Sequence, residues 1–334
     1  MSVRAIDRRQ LLRRGVALAA TSMLAAPAIA QARTKLRLGY LHVVAVDGHI
    51  WTGLDRGSFD REGIDFELYE FSTGPEVFEA MTRGELDVAS AGGVISNYLA
   101  LGRGRGFLIN DIEVATAQLW ARPSLGVSRL ADLRGKRIAT TAKTTAHIFL
   151  DRALRANNIR PSEVEIVSSS MPDAVKAFIA GEVAAVALWV PFNVAVREAL
   201  PDAVKLVDAS AFYPQSAVLG GWAARTDYYA GNKDVLSRII RGWIEANDHM
   251  VRNPAAAAEA LQAYYKPSRP ADLTEAFRAQ KLYSAREWRR LYADGTVAKW
   301  LQQVSDFFMT DAGITDALRA SDYFDTKLYL AAVG

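Results

Sequence analysis

From residue 34 onward, apolar and polar positions fall into short segments whose period switches between two and 3.6 residues. Residues 35–41 and 64–71 read as strands, the second alternating apolar with polar positions. Between them, 48–56 carries Ile50, Trp51 and Leu54 at helical spacing. Further strands are predicted at 86–91, 107–110, 114–120, 137–141, 164–168, 183–189, 205–208 and 217–223, with helices at 94–101, 146–157 and 193–199. From Lys233 the pattern is helical: Val235, Leu236, Ile239, Ile240, Trp243 and Ile244 share one face. The alternation predicts an α/β chain with a helical C-terminal segment.

Within this pattern one unit occurs twice. Ser72-Thr73-Gly74-Pro75-Glu76-Val77-Phe78-Glu79-Ala80-Met81-Thr82-Arg83-Gly84-Glu85 and Ser169-Ser170-Met171-Pro172-Asp173-Ala174-Val175-Lys176-Ala177-Phe178-Ile179-Ala180-Gly181-Glu182 lie 97 positions apart. Each reads as a polar turn, Pro at the helix start, an acid in the first turn, an apolar stripe and a closing Gly. A strand precedes and follows each, so the chain carries two similar βαβ units. Two crossovers, near 119–123 and 219–224, divide it into lobe 1 (33–121 plus 223–334) and lobe 2 (122–222). Two strands joining two lobes predict a hinge with a ligand cleft between them.

The first 32 residues stand apart. Arg8-Arg9-Gln10-Leu11-Leu12-Arg13-Arg14 precedes an apolar run at 16–24 and two small-x-small patterns, Ala28-Ile29-Ala30 and Ala30-Gln31-Ala32. This is the layout of a cleaved secretory signal, and the Arg pair is that of the twin-arginine route. The run is too short to span a bilayer comfortably. Export to the periplasm is therefore expected. Residues 1–30 hold five Arg and one Asp, a net +4, while the whole chain is +3, which leaves the remainder near −1. Net charge thus gives no case for a nucleic-acid partner. There is no cysteine. Thiol catalysis and cysteine-bound metal are excluded, and the fold must rest on its core alone. None of the four His has a partner at metal-ligand spacing, so no metal or cofactor is expected.

Ligands in open α/β sheets sit beyond the carboxyl ends of strands, near helix starts. Four such points offer hydroxyls or bare backbone N–H groups: Ser72-Thr73, Gly92-Gly93, Thr144-Thr145 and Ser169-Ser170. Helix starts favour anions, so a sulfonate, sulfate ester or carboxylate is the expected ligand. Thr73, Gly92, Gly93, Thr144 and Thr145 are the candidate contacts, while Ser169-Ser170 reads as an N-cap. Tyr40 ends the first strand and His42 follows it, both within reach of a cleft mouth. His147 lies in the first turn of its helix.

The segments Leu36-Arg37-Leu38-Gly39-Tyr40, Phe71-Ser72-Thr73-Gly74-Pro75 and Gly84-Glu85-Leu86-Asp87 resemble those of ABC-importer solute-binding proteins of the alkanesulfonate/taurine/nitrate group, which includes pyrimidine-precursor binders. Leu130-Ala131-Asp132-Leu133-Arg134-Gly135-Lys136-Arg137-Ile138-Ala139 resembles the group's DLKGKKVAV segment. Thr144-Thr145-Ala146-His147 is similar to its S-x-x-H helix start, and Leu188-Trp189-Val190-Pro191-Phe192 to its W-[DE]-P segment. The resemblance implies a two-lobed periplasmic-binding-protein fold of type 2, a monomer that closes on its ligand and docks on an inner-membrane ABC permease. It also implies that Trp189 is an aromatic wall of the site. Val190 stands where the group usually has an acid; a zwitterionic aminosulfonate would lose one partner there, which favours a plain or aromatic organic anion. The function implied is a non-enzymatic binding component. The alternatives are a fold-related enzyme, a pyrimidine-precursor binder or a sensor module. Sulfinate-cleaving relatives depend on a cysteine that this chain lacks.

Overall fold

The computed structural model describes residues 33–215, 217–265, 269–312 and 315–334. The predicted signal segment, 1–32, lies outside the described residues. Among the described residues ten strands run in chain order: β1 (Thr34–Tyr40), β2 (Ile64–Glu70), β3 (Val88–Ala91), β4 (Arg105–Ile112), β5 (Ala117–Ala121), β6 (Arg137–Thr140), β7 (Glu165–Ser168), β8 (Ala185–Trp189), β9 (Val204–Asp208) and β10 (Leu219–Ala224). They form two five-stranded sheets, β2-β1-β3-β10-β4 and β7-β6-β8-β5-β9. In each, the first three strands are parallel and the fourth is antiparallel.

The repeated unit occupies the same place in both sheets. Helix Gly74–Thr82 joins β2 to β3, and helix Met171–Ala180 joins β7 to β8, each crossing over one intervening strand. Thr73 caps the first helix in a capping box with Glu76, and Ser170 caps the second through the Asp173 backbone N–H. Pro75 and Pro172 stand at the second helical position rather than the first. Gly84 and Gly181 end the two turns at φ 81° and 83°, a left-handed conformation that glycine adopts without a Cβ penalty.

The fourth strand of each sheet is where the chain exchanges partners. β5 follows β4 directly yet inserts between β8 and β9, while β10 returns to insert between β3 and β4. The first predicted crossover therefore overlaps the end of β5 and the second coincides with β10, and both are corrected. The sheet changes occur at 113–116 and 209–218, not near 119–123 and 219–224. The break at Ala121-Arg122-Pro123-Ser124 is only the turn after β5, with a short helical turn at Pro123–Leu125. The true switch, Glu113-Val114-Ala115-Thr116, has no Gly or Pro to mark it.

A large apolar core packs on the first sheet, built from Leu36, Leu38, Phe107 and Trp222 together with Trp243 and Trp288 of the C-terminal helices. Two smaller clusters cover the faces of the second sheet, around Phe149 and Phe178. A fourth cluster joins Val44 and Val190 to Leu261 and Tyr265 of the C-terminal helices. Among the described residues, no helix is long and apolar enough to cross a membrane.

Candidate functional site

A cleft whose empty space, open solvent included, is about 540 Å³ is lined from both sheets. One wall is the end of β1 and the start of the next helix (Leu41, Val43, Ala45, Val46), another the helix start Ser72-Thr73-Gly74, and a third Gly92 and Val94 after β3. Glu113 and Thr116 come from the sheet switch, Thr144 and Thr145 from the helix after β6, and Trp189 and Val190 from the end of β8. All lie beyond carboxyl ends of strands, where the topology of open sheets puts a ligand.

Five of the nine candidate residues line this cleft: Thr73, Gly92, Thr144, Thr145 and Trp189. The other four do not. The Gly93 backbone N–H donates to Glu113 Oε1 at 3.0 Å. Tyr40 donates its hydroxyl to Glu70 at 3.2 Å and packs edge-on against Trp51. His42 has φ 53°, places Nε2 3.2 Å from the Tyr264 carbonyl oxygen and lies 4.6 Å, centroid to centroid, from the Tyr265 ring. His147 accepts the Lys143 backbone N–H at Nδ1 and sets its ring edge-on to Phe307. These rings belong to the packing around the cleft.

The residue that sequence reasoning missed is Glu113. Its carboxylate is buried and lies at the meeting point of the two sheets. Oε1 accepts from Gly93 N at 3.0 Å and from the Thr145 hydroxyl at 3.2 Å, while Oε2 accepts from the Thr116 hydroxyl at 3.0 Å. Burial pushes this carboxyl upward, and the three hydrogen bonds oppose that shift. Nearby Asp111 is raised further, by burial and by the charges of Glu113 and Asp47. Burial raises Asp47 to about 7, although it accepts the Ser90 hydroxyl at 2.5 Å and the Leu41 backbone N–H at 2.8 Å.

This changes the reading of the helix starts. Glu76 Oε2 accepts the Ser72 and Thr73 backbone N–H groups, both at 3.0 Å. Glu113 takes Gly93 and the Thr145 hydroxyl. The Thr144 hydroxyl donates to the Thr141 carbonyl at 2.7 Å, and Ser170 accepts the Asp173 N–H. Each of these helix starts is served in part by an acceptor of the chain itself, and at Ser170 that is the expected N-cap. The signal for Glu113 was present in Gly92-Gly93. A Cβ on Gly92 would lie 2.6 Å from Glu113 Oε1, so the small residues admit a carboxylate, but one from twenty residues downstream.

A family model described as NMT1/THI5 like matches residues 48–257. The chain belongs to this family. A protein of Brucella abortus (strain 2308) named as a binding protein is 26% identical over 277 residues, covering 83% of this chain and 86% of its own. The taurine-binding periplasmic protein of Escherichia coli (strain K12) is 27% identical over 203 residues, 59% of this chain and 61% of its own. Among solved structures, the alkanesulfonate-binding protein SsuA from Xanthomonas axonopodis pv. citri, bound to MOPS, superposes with a TM-score of 0.71 at 21% identity. That match covers 88% of this chain and 99% of that one. The fold is that of the periplasmic binding proteins, as the resemblance implied.

Proposed function

We propose that this protein is the solute-binding component of an ABC importer, which captures a small organic molecule between its two sheets and presents it to an inner-membrane permease. The observation that carries the reading is the cleft itself, lined from both sheets and entered by strand ends and helix starts. The relatives named as a taurine-binding periplasmic protein and as a binding protein support it. It acts without chemistry, as a monomer, in the periplasm, to which the twin-arginine-type segment at 1–32 directs it. N-terminal sequencing should find the mature chain starting near Gln31 or Arg33, and Met1 retained would overturn the export reading.

The names of the relatives favour a solute of the taurine and sulfonate size. Against a plain organic anion stands the lining, which among the described residues holds one carboxylate, Glu113, and no Lys or Arg. The test is a thermal-shift screen against sulfonates, taurine, aromatic acids, amines and pyrimidines. Ligand at a hundredfold its Kd should add about 2.7 kcal/mol to stability. Scattering should then show a smaller radius of gyration with the bound ligand. No stabilising ligand and an unchanged profile across the screen would overturn the binding function.

A further inference from the structure

We infer that the cleft selects a ligand bearing a positively charged nitrogen, such as an amine or amidine on a small apolar body, with Glu113 as its counter-charge. This rests on the solute-binding reading above. Among the described residues that line the cleft, Glu113 is the one ionisable side chain. A carboxylate offers about four acceptor positions, and the three donors named above, Gly93 N–H, Thr145 and Thr116, occupy three of them. One position on Oε2 is left for a donor from the ligand. The donors already present are uncharged, so the negative charge has hydrogen bonds but no cation.

Asp47 and Asp111 are fully buried nearby, and burial favours their uncharged, protonated forms, so they bring no cation to Glu113. Arg152 lines a second small cavity together with Glu113, Phe149 and Tyr213, and no ion pair joins it to Glu113 among the described residues. A buried charge left without a partner is costly, and a ligand cation entering the cleft would remove that cost. A sulfonate or carboxylate at the same point would meet a like charge at low dielectric, where repulsion is least screened. The body of the ligand would then contact Trp189, Val190, Val43 and Val46, which are apolar.

The inference also reverses the reading of Val190. In the sequence, its lack of charge removes the acidic partner for an ammonium group. The structure supplies a carboxylate in the same cleft from Glu113 instead, more than seventy positions earlier in the chain.

The test compares probes of equal ring size on the purified protein: benzylamine, benzamidine and benzenesulfonate, with taurine alongside, read by melting temperature and calorimetric titration. Benzylamine or benzamidine should stabilise the wild type and benzenesulfonate should not. Glu113→Gln keeps an oxygen acceptor for Gly93 and Thr145, and should weaken the nitrogen probes at least tenfold. A response to benzenesulfonate with none to the nitrogen probes would overturn the cationic class while leaving solute binding intact. Silence from both nitrogen probes, or equal affinity for them in Glu113→Gln, would overturn it as well. If Glu113→Gln loses cooperative melting, the wild-type contrast between amine and sulfonate decides alone.

Discussion

Thr145 donates its hydroxyl to Glu113 Oε1 at 3.2 Å, and the same oxygen accepts the Gly93 backbone N–H at 3.0 Å. Thr145 opens the helix after β6 in the second sheet, whereas Gly93 follows β3 in the first. One carboxylate oxygen thus ties the two sheets together at the floor of the cleft. Hydrogen bonds to charged groups contribute about 1.5–3 kcal/mol, and a buried acceptor that loses its partner is left desolvated.

Thr145→Ala should therefore lower stability by about 1–3 kcal/mol even without ligand, measured by urea denaturation, while Thr145→Ser should stay close to wild type. This differs from the expectation drawn from sequence, in which Thr145 was a candidate contact for the ligand. A change below about 0.5 kcal/mol in Thr145→Ala would show that the hydroxyl is not holding Glu113.

A second expectation concerns pH. Asp47 is fully buried, and burial raises its carboxyl to about 7, against about 3.9 in an unfolded chain. The folded state then holds a proton between those values that the unfolded state has released. Its contribution is full below about pH 4 and is lost as pH rises through about 7, with a slope of up to about 1.4 kcal/mol per unit. Asp111 and Glu113 shift in the same direction. His49 works against them: burial lowers it to about 4, so its contribution grows as pH rises from about 4 to 6.5. Asp47→Asn removes one descending term. The variant should gain stability relative to wild type between about pH 4 and 7, and a constant difference across that range would refute the shift.

A third expectation lies at the rim. Arg197 donates to Glu275 at 2.6 Å and Asn193 donates to the same carboxylate at 2.8 Å. Helix Asn193–Ala199 follows β8 of the second sheet, and helix Pro270–Arg278 packs on helix Val44–Asp55 beside the first. The Arg197 and Glu275 side chains are 38% and 39% exposed, so solvent screens the pair. A double-mutant cycle between Arg197→Ala and Glu275→Ala should return a coupling of no more than about 1 kcal/mol. The larger effect should be on shape, with the ligand-free Glu275→Ala protein showing a greater radius of gyration than wild type. Equal radii would mean that this contact does not help hold the cleft shut.

What the chain revealed before folding follows from the range of each interaction. The repeated helices were legible because Pro75, Glu76 and Gly84, and Pro172, Asp173 and Gly181, act on their own neighbours. The strand positions followed from local period. The sheet exchange was not legible, because the insertion of β5 between β8 and β9 depends on partners more than sixty residues away. The candidate site was legible in part for the same reason. Thr144, Thr145 and Gly92 announce a helix start or a close approach, but nothing near Glu113 in sequence says that it will fill the space they leave. Tyr40 and His42 sit at the expected strand end, yet their rings are taken up by Trp51 and Tyr265.

The last expectation separates packing from charge within the cleft. Trp189 ends β8 and is only partly buried, with Phe192 edge-on at 5.7 Å. It lines the cleft beside Val190, which is buried against Val44, Leu261 and Tyr265. Trp189 therefore has one side held by the fold and one open to a ligand. Trp189→Ala removes apolar area worth about 25 cal/mol per Å² of whatever contact the ligand makes. It should weaken an aromatic ligand by more than a compact aliphatic one of the same charge, since each 1.4 kcal/mol is tenfold in Kd. Trp189→Phe should recover most of the difference by keeping a ring in place. Glu113→Gln should behave in the opposite way, weakening both ligands by a similar factor because the charge they present is the same. Calorimetric titration of the three variants with a matched aromatic and aliphatic pair reads both effects. Equal losses for the two ligands in Trp189→Ala would show that the indole supports the cleft wall without touching what binds in it.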